Sequence, residues 1–185
     1  MDIDDNKSIP GETDDNQPVT GETDDNQAGP GETDDNSASA DEDESDRFFR
    51  KIEKENSGYL SVFGDDLRKS GLSESTVRRH LMNADLFLNE FLMYRECLTM
   101  KAGVSMVGSF LGDFFIRKCA WSTPGNIKTT AASLKKFYKS MLGHGLIGSD
   151  SYSHICDEIK NHMELWQKDC AQFNDPDQED PFYPV

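Results

Sequence analysis

Residues 73–92 read Ser73-Glu74-Ser75-Thr76-Val77-Arg78-Arg79-His80-Leu81-Met82-Asn83-Ala84-Asp85-Leu86-Phe87-Leu88-Asn89-Glu90-Phe91-Leu92. Val77, Leu81, Ala84, Leu88, Phe91 and Leu92 recur every three or four positions, so they line one side of a helix that runs to about Cys97. Ser73 stands where a helix N-cap is needed. Gly71 stands where a preceding helix would close in the left-handed conformation. That preceding helix is predicted from Gly58 to Ser70, with Leu60, Phe63 and Leu67 on one face.

Downstream the same period repeats. A third helix, from about Val104 to Lys118, presents Val107, Phe110, Leu111, Phe114 and Phe115. Pro124 opens a fourth that reaches about Leu142 with Ile127, Ala131, Leu134 and Phe137 inward, and Gly143-His144-Gly145 is the turn after it. A long last helix, from Ser151 to Phe173, carries Ile155, Ile159, Met163 and Trp166 at helical spacing, and Asp175-Pro176 stops it. That stripe is long enough to clasp the bundle or to contact a partner protein. No run alternates with period two, so the prediction is an all-α bundle of four to five helices over residues 47–174, followed by an acidic tail at 175–185.

Upstream the character changes. Gly-Glu-Thr-Asp-Asp-Asn occurs at Gly11, Gly21 and Gly31, a repeat too short and too polar to build a solenoid. With almost no apolar surface to offset backbone entropy, residues 1–46 are expected to be a disordered acidic arm. The pairs Asp14-Asp15, Asp24-Asp25 and Asp34-Asp35 lack the bidentate Glu and flanking helices of a calcium loop.

Charge is divided just as unevenly. The chain has 185 residues and a formal net charge of -16, and residues 1–46, with 17 acidic side chains and Lys7, account for all of it. From Arg47 to Ser140 there are 16 basic and 9 acidic side chains, whereas Met141 to Val185 has 2 basic and 9 acidic. The basic middle is where a phosphate-bearing partner would sit.

Catalytic and metal chemistry find no foothold in the pattern. Cys97, Cys119, Cys156 and Cys170 are irregularly spaced and read as reduced intracellular thiols. His154 and Cys156 point about 200° apart on one helix, so with His162 and Cys170 they do not form a zinc set. There is no nucleophile elbow, phosphate-cradling glycine loop or His-Glu-x-x-His helix. The expectation is a protein without enzymatic activity, cofactor, metal or small-molecule substrate. It has no apolar run of membrane length, and it is placed in the cytoplasm.

What remains is a basic surface. Arg78 and Arg79 open one helix, while Lys128, Lys135, Lys136 and Lys139 lie along another. Lys128, Lys135 and Lys139 share a face opposite the apolar stripe, with Thr129 and Thr130 nearby as neutral hydrogen-bond donors, a mixture suited to DNA phosphates.

Two blocks carry a family resemblance. Gly71-Leu72-Ser73-Glu74-Ser75-Thr76-Val77-Arg78-Arg79-His80, followed by Ala84, Phe87 and Phe91, resembles the first hairpin of the SAM-like core-binding domain of phage-integrase-type tyrosine recombinases. Ile127-Lys128-Thr129-Thr130-Ala131-Ala132-Ser133-Leu134-Lys135-Lys136-Phe137-Tyr138-Lys139, with Gly145-Leu146-Ile147 beyond it, resembles a second helix of that family. His80 replaces the usual aromatic after the basic pair, and Gly148-Ser149 replaces the Asn-Pro that often follows the turn.

The resemblance implies a SAM-like fold and half of a clamp around double-stranded DNA. It further implies contacts from Ser75, Thr76, Arg78, Arg79, Lys128, Thr129, Thr130, Lys135, Lys136 and Lys139, and a part in DNA recombination or integration. The family's catalytic domain, with its Arg, His-x-x-Arg and Tyr, has no counterpart before the chain ends, so cleavage in cis is not expected. The alternative is a regulatory module that binds a recombinase or another protein through the last helix. In either case the acidic arm, tethered beside the basic segment, is expected to mimic DNA.

Overall fold

The structure, a computed structural model, describes residues 37–177. The acidic repeats, with the expectations of disorder and of calcium loops attached to them, lie outside the described residues, as does the tail from 178 onward. Every regular element among the described residues is helical.

The first helix, α1, spans Ser37–Lys69, 33 residues and about 50 Å. Its start overturns the prediction of a helix from Gly58, and the expected division between residues 46 and 47 falls inside it. Phe48, Ile52, Asn56, Leu60, Phe63 and Leu67 follow one another at three- and four-residue steps, which puts them on one face. Ile52 and Asn56 are already buried, so helix extends through the exposed Gly58 despite a propensity cost of about 1 kcal/mol. The face continues outward to Phe48, which stays exposed.

Gly71 then ends α1 at φ 81°, with its N–H on Arg68 O and the Leu72 N–H on Leu67 O. Gly145 repeats this double closure after the fourth helix at φ 68°, through Leu142 O and Met141 O. Each is followed by a leucine packed against the core, Leu72 and Leu146.

The second rod is α-helical over Glu74–Asp85, π-wound over Leu86–Leu92 and α-helical again over Met93–Glu96; together these are α2. The third, α3, begins as a 3-10 turn at Ala102–Met106 and continues through Val107–Ser109, a π-wound Phe110–Phe114, and Phe115–Lys118. Helix α4 is Pro124–Gly143, capped by the Thr123 side chain on Asn126 N, and α5 is Ser149–Phe173. The helices predicted downstream of Gly71 therefore stand close to where periodicity put them.

The core is aromatic. Phe87 and Phe91 of α2 interlock with Phe110 and Phe114 of α3 at centroid distances of 5.0–5.3 Å. Phe63 of α1 meets Phe137 of α4 edge-on at 5.5 Å. Tyr138 is wholly buried and donates its hydroxyl to Met100 O at 3.0 Å, and burial pushes its phenol up. Asp66 of α1 accepts from Ser140 Oγ at 2.6 Å and pairs with His144 Nε2 at 2.9 Å, which ties α1 to the end of α4.

Helix α5 closes the bundle. Ile155, Ile159, Trp166 and Cys170 are buried in the protein's own core, and Met163 packs against it. Gly112 of α3 leaves room for Trp166, since a Cβ there would lie 2.5 Å from the indole Nε1. Of the two roles open to this stripe, clasping the bundle or contacting a partner, Ile159, Met163 and Trp166 serve the clasp. No described helix is long and apolar enough to cross a membrane.

Candidate nucleic-acid interface

Helix α4 has two unlike sides. Ile127, Ala131, Leu134, Phe137, Tyr138 and Met141 are buried, whereas Lys128, Lys136 and Lys139 are exposed and Lys135 is half-buried along its stem. Lys128 to Lys139 covers eleven residues, about 16 Å along the axis. None of these lysines, nor Arg78 or Arg79, ion-pairs with a carboxylate among the described residues.

The two threonines between them behave differently from expectation. Thr130 is 2% exposed, so it cannot touch DNA; it lies two residues, or about 200° of helix, from Lys128. Thr129 is half-buried and donates to Gly125 O at 3.0 Å within its own helix.

A buried polar knot fixes α2 against α4. Ser133 Oγ donates to Thr129 O at 3.0 Å and accepts from Asn83 Nδ2 at 2.9 Å. Its single proton being used, the 2.8 Å contact with His80 Nδ1 requires that nitrogen to be the donor. Burial lowers the affinity of His80 for a proton, and the charges of Lys136 and Arg79 lower it further. Lys136 of α4 and Arg79, the neighbour of His80 on α2, thus both bear on this one imidazole.

Arg78 turns the other way. With Arg68, Gly64, Leu81 and Asp85 it lines a shallow groove of about 430 Å³ between α1 and α2. Arg68 in that groove is bound to Glu74 at 3.0 Å and to Asp65 at 3.5 Å. Ser75 and Thr76 sit at the start of α2, their hydroxyls 3.1 and 3.0 Å from the capping Ser73 Oγ. The expected contact set thus separates: Lys128, Lys135 and Lys139 share the outer face of α4 with Lys136 at its edge toward His80, Arg78 belongs to the α1 groove, and Ser75 and Thr76 to the α2 cap beside the Glu74 carboxylate.

Sequence reading passed over one signal. From Phe114 to Ser149 the chain holds six Lys or Arg and no Asp or Glu across 36 residues. That stretch contains α4 and also Arg117, Lys118 and the exposed Trp121, none of which was singled out. Arg117 is held by Asp113 at 2.7 Å, while Lys118 is exposed.

Elsewhere, titratable groups do not converge. His162 Nδ1 donates to Glu158 O at 3.1 Å and its ring stacks on Trp166, while Cys119 and Cys170 are buried free thiols. No three His, Cys, Asp or Glu side chains among the described residues are grouped as a metal site requires. Comparison with known proteins leaves the family open, because no protein-family model, no curated protein and no solved structure matches the chain.

Proposed function

We propose that this chain is a DNA-binding module that grips duplex phosphates with the outer face of α4, through Lys128, Lys135, Lys136 and Lys139, together with Arg79 of α2. The observation that carries this reading is the 36-residue acid-free stretch in which four of the five lysines lie on α4, without carboxylate partners among the described residues. Cations arranged this way attract a polyanion rather than satisfy the domain itself. The resemblance of the same two helices to a recombinase core-binding domain supports a role in DNA recombination or integration. On this reading the acidic segment that precedes Ser37 competes with DNA for the lysine face.

Salt dependence tests it. About four phosphate contacts give a log–log slope of affinity on salt near -3.6. Fluorescence anisotropy with a labelled duplex should show this slope for the chain, and the combined variant Lys128→Gln, Lys136→Gln, Lys139→Gln, which leaves Lys135 and Arg79, should flatten it to about -1 to -2. Absence of a complex at low salt, or an unchanged slope in the triple variant, overturns the proposal.

A further inference from the structure

Trp121 occupies a position that the phosphate-gripping reading does not use. Its main chain is pinned from several sides: Ser122 N–H donates to Cys119 O at 2.8 Å, and Ser122 Oγ donates to Ile116 O at 3.0 Å. Asn126 Nδ2 donates to Trp121 O at 2.8 Å, and Asn174 Nδ2 reaches from the end of α5 to Ser122 O at 3.1 Å. Gln167 Nε2 donates to Pro124 O at 2.9 Å. Cys119 and Ser122, on either side, are each 4% exposed.

The indole carried by this fixed loop is nevertheless 59% exposed, whereas the protein's other tryptophan, Trp166, is 5% exposed. A large ring left mostly in water on a pinned loop adds little to the core, and it offers contact area at little entropic cost. The chain around it is basic and small: Lys118 precedes it, exposed Gly125 and Asn126 follow, and Lys128 stands one turn into α4. Asp175 and Asp177, just past α5, bound this region with negative charge. A polyanion reaching Trp121 is therefore directed along α4 rather than past the end of α5.

We infer that Trp121 is a stacking platform for an unstacked base of the DNA strand whose phosphates follow the α4 lysines, so that the module prefers single-stranded or locally opened DNA. Every base has a π-face, and an exposed ring next to a row of cations is the arrangement that holds single strands irrespective of sequence. A membrane surface would also attract lysines and an indole, but a row of cations about 16 Å long is a better match to the regular charges of a strand than a lone ring is to a bilayer.

This inference rests on the DNA-binding reading, and the experiment separates the two. The full chain is titrated at low salt with an oligo-dT single strand and with a duplex of equal length, reading anisotropy and intrinsic tryptophan emission. The expected result is quenching of the exposed emission by the single strand. Trp121→Ala should bind the single strand about tenfold or more weakly, with duplex affinity changed less than about twofold, and Trp121→Phe should keep most of the affinity while losing the quenched signal.

If Trp121→Ala binds both DNAs as the unaltered protein does, the platform is wrong and the lysine face stands. If it weakens both equally, Trp121 is an ordinary contact and the preference for open DNA is wrong. If the unaltered chain binds neither DNA, both readings fail. A blue shift of the exposed emission on phosphatidylserine vesicles, with no quenching by DNA, would assign the ring to lipid and overturn the inference. Far-UV circular dichroism on each variant establishes that these differences are not losses of fold.

Discussion

Replacing Gly112 by alanine probes how α3 and α5 meet, and the geometry fixes the sign of the outcome. A Cβ on Gly112 falls 2.5 Å from Trp166 Nε1 and 2.7 Å from Trp166 Cδ1, closer than such atoms rest. The ring has little freedom to swing aside, because it is 5% exposed and stacks on His162 at 5.7 Å. Overpacking of this kind costs about 1–3 kcal/mol. The Gly→Ala change itself returns about 0.5–1 kcal/mol in a helix interior, so a net loss of about 1–2 kcal/mol is expected. Trp166→Ala alone should cost about 3–5 kcal/mol. In that background the new methyl meets space instead of a ring, and Gly112→Ala should become stabilising by about 0.5–1 kcal/mol. The reversal of sign is a coupling of roughly 2 kcal/mol between two residues in contact. Urea unfolding of the four proteins, followed by far-UV circular dichroism with m-values compared, measures it. Equal effects of Gly112→Ala in both backgrounds would refute the packing described for α5, and so would a Trp166→Ala loss below about 1 kcal/mol.

A chain that begins at Ser37 loses 12 acidic residues and Lys7 while keeping α1 whole. It should bind duplex DNA more tightly than the full chain at low salt, with the gap narrowing as the Debye length falls to about 8 Å at physiological salt; equal affinities at low salt would dismiss competition by the acidic segment. His80 makes stability depend on pH: its pKa is held below the ordinary 6.5 in the folded protein, so its contribution is complete above that value and is lost as pH falls from there toward the depressed one. Urea midpoints measured from neutral to mildly acidic pH should therefore fall more steeply for the unaltered protein than for His80→Gln, and parallel profiles would contradict a neutral, Nδ1-donating His80.

Helices α2 to α5 were legible because each buries one unbroken stripe and the chain between them is punctuated by residues such as Gly71 before α2, Pro124 at the start of α4 and Gly145 after it. The start of α1 was not, since its inward face passes through Asn56. That amide is buried only because it donates to Asn89 Oδ1 at 2.9 Å and to Leu88 O at 3.4 Å on another helix, a relation no local pattern encodes. Ser133 escaped notice for the same reason: its role lies in meeting His80 and Asn83 some fifty residues away.

Thr130 was misplaced by adjacency, as neighbours in a helix face different ways. The stripe on α5 was correctly seen as apolar, but an amphipathic face does not reveal what covers it. Gly108 and Gly112, spaced one turn apart on α3, were the available hint, because a Cβ at either would run into Glu158 or Trp166 of α5. The lysine row was visible from spacing alone; its enclosure in an acid-free stretch was equally open to reading and was passed over, whereas the exposure of Trp121 became apparent only in the folded chain.

The π-wound stretches Leu86–Leu92 and Phe110–Phe114 give the bundle an unusual relation to chain length. Each accommodates an additional residue within a turn, whereas in a regular α-helix one added residue would rotate everything beyond it by about 100°. The stacked pairs Phe87–Phe91 and Phe110–Phe114 lie within these two stretches and interlock across them. Helices α2 and α3 thus each hold a local reserve of length at the point of contact. Loss of one solvent-facing residue there, Glu90 or Asp113, can be absorbed by rewinding to α-helix, so this aromatic seam is where a single-residue deletion should be tolerated while the lysine face of α4 stays in register.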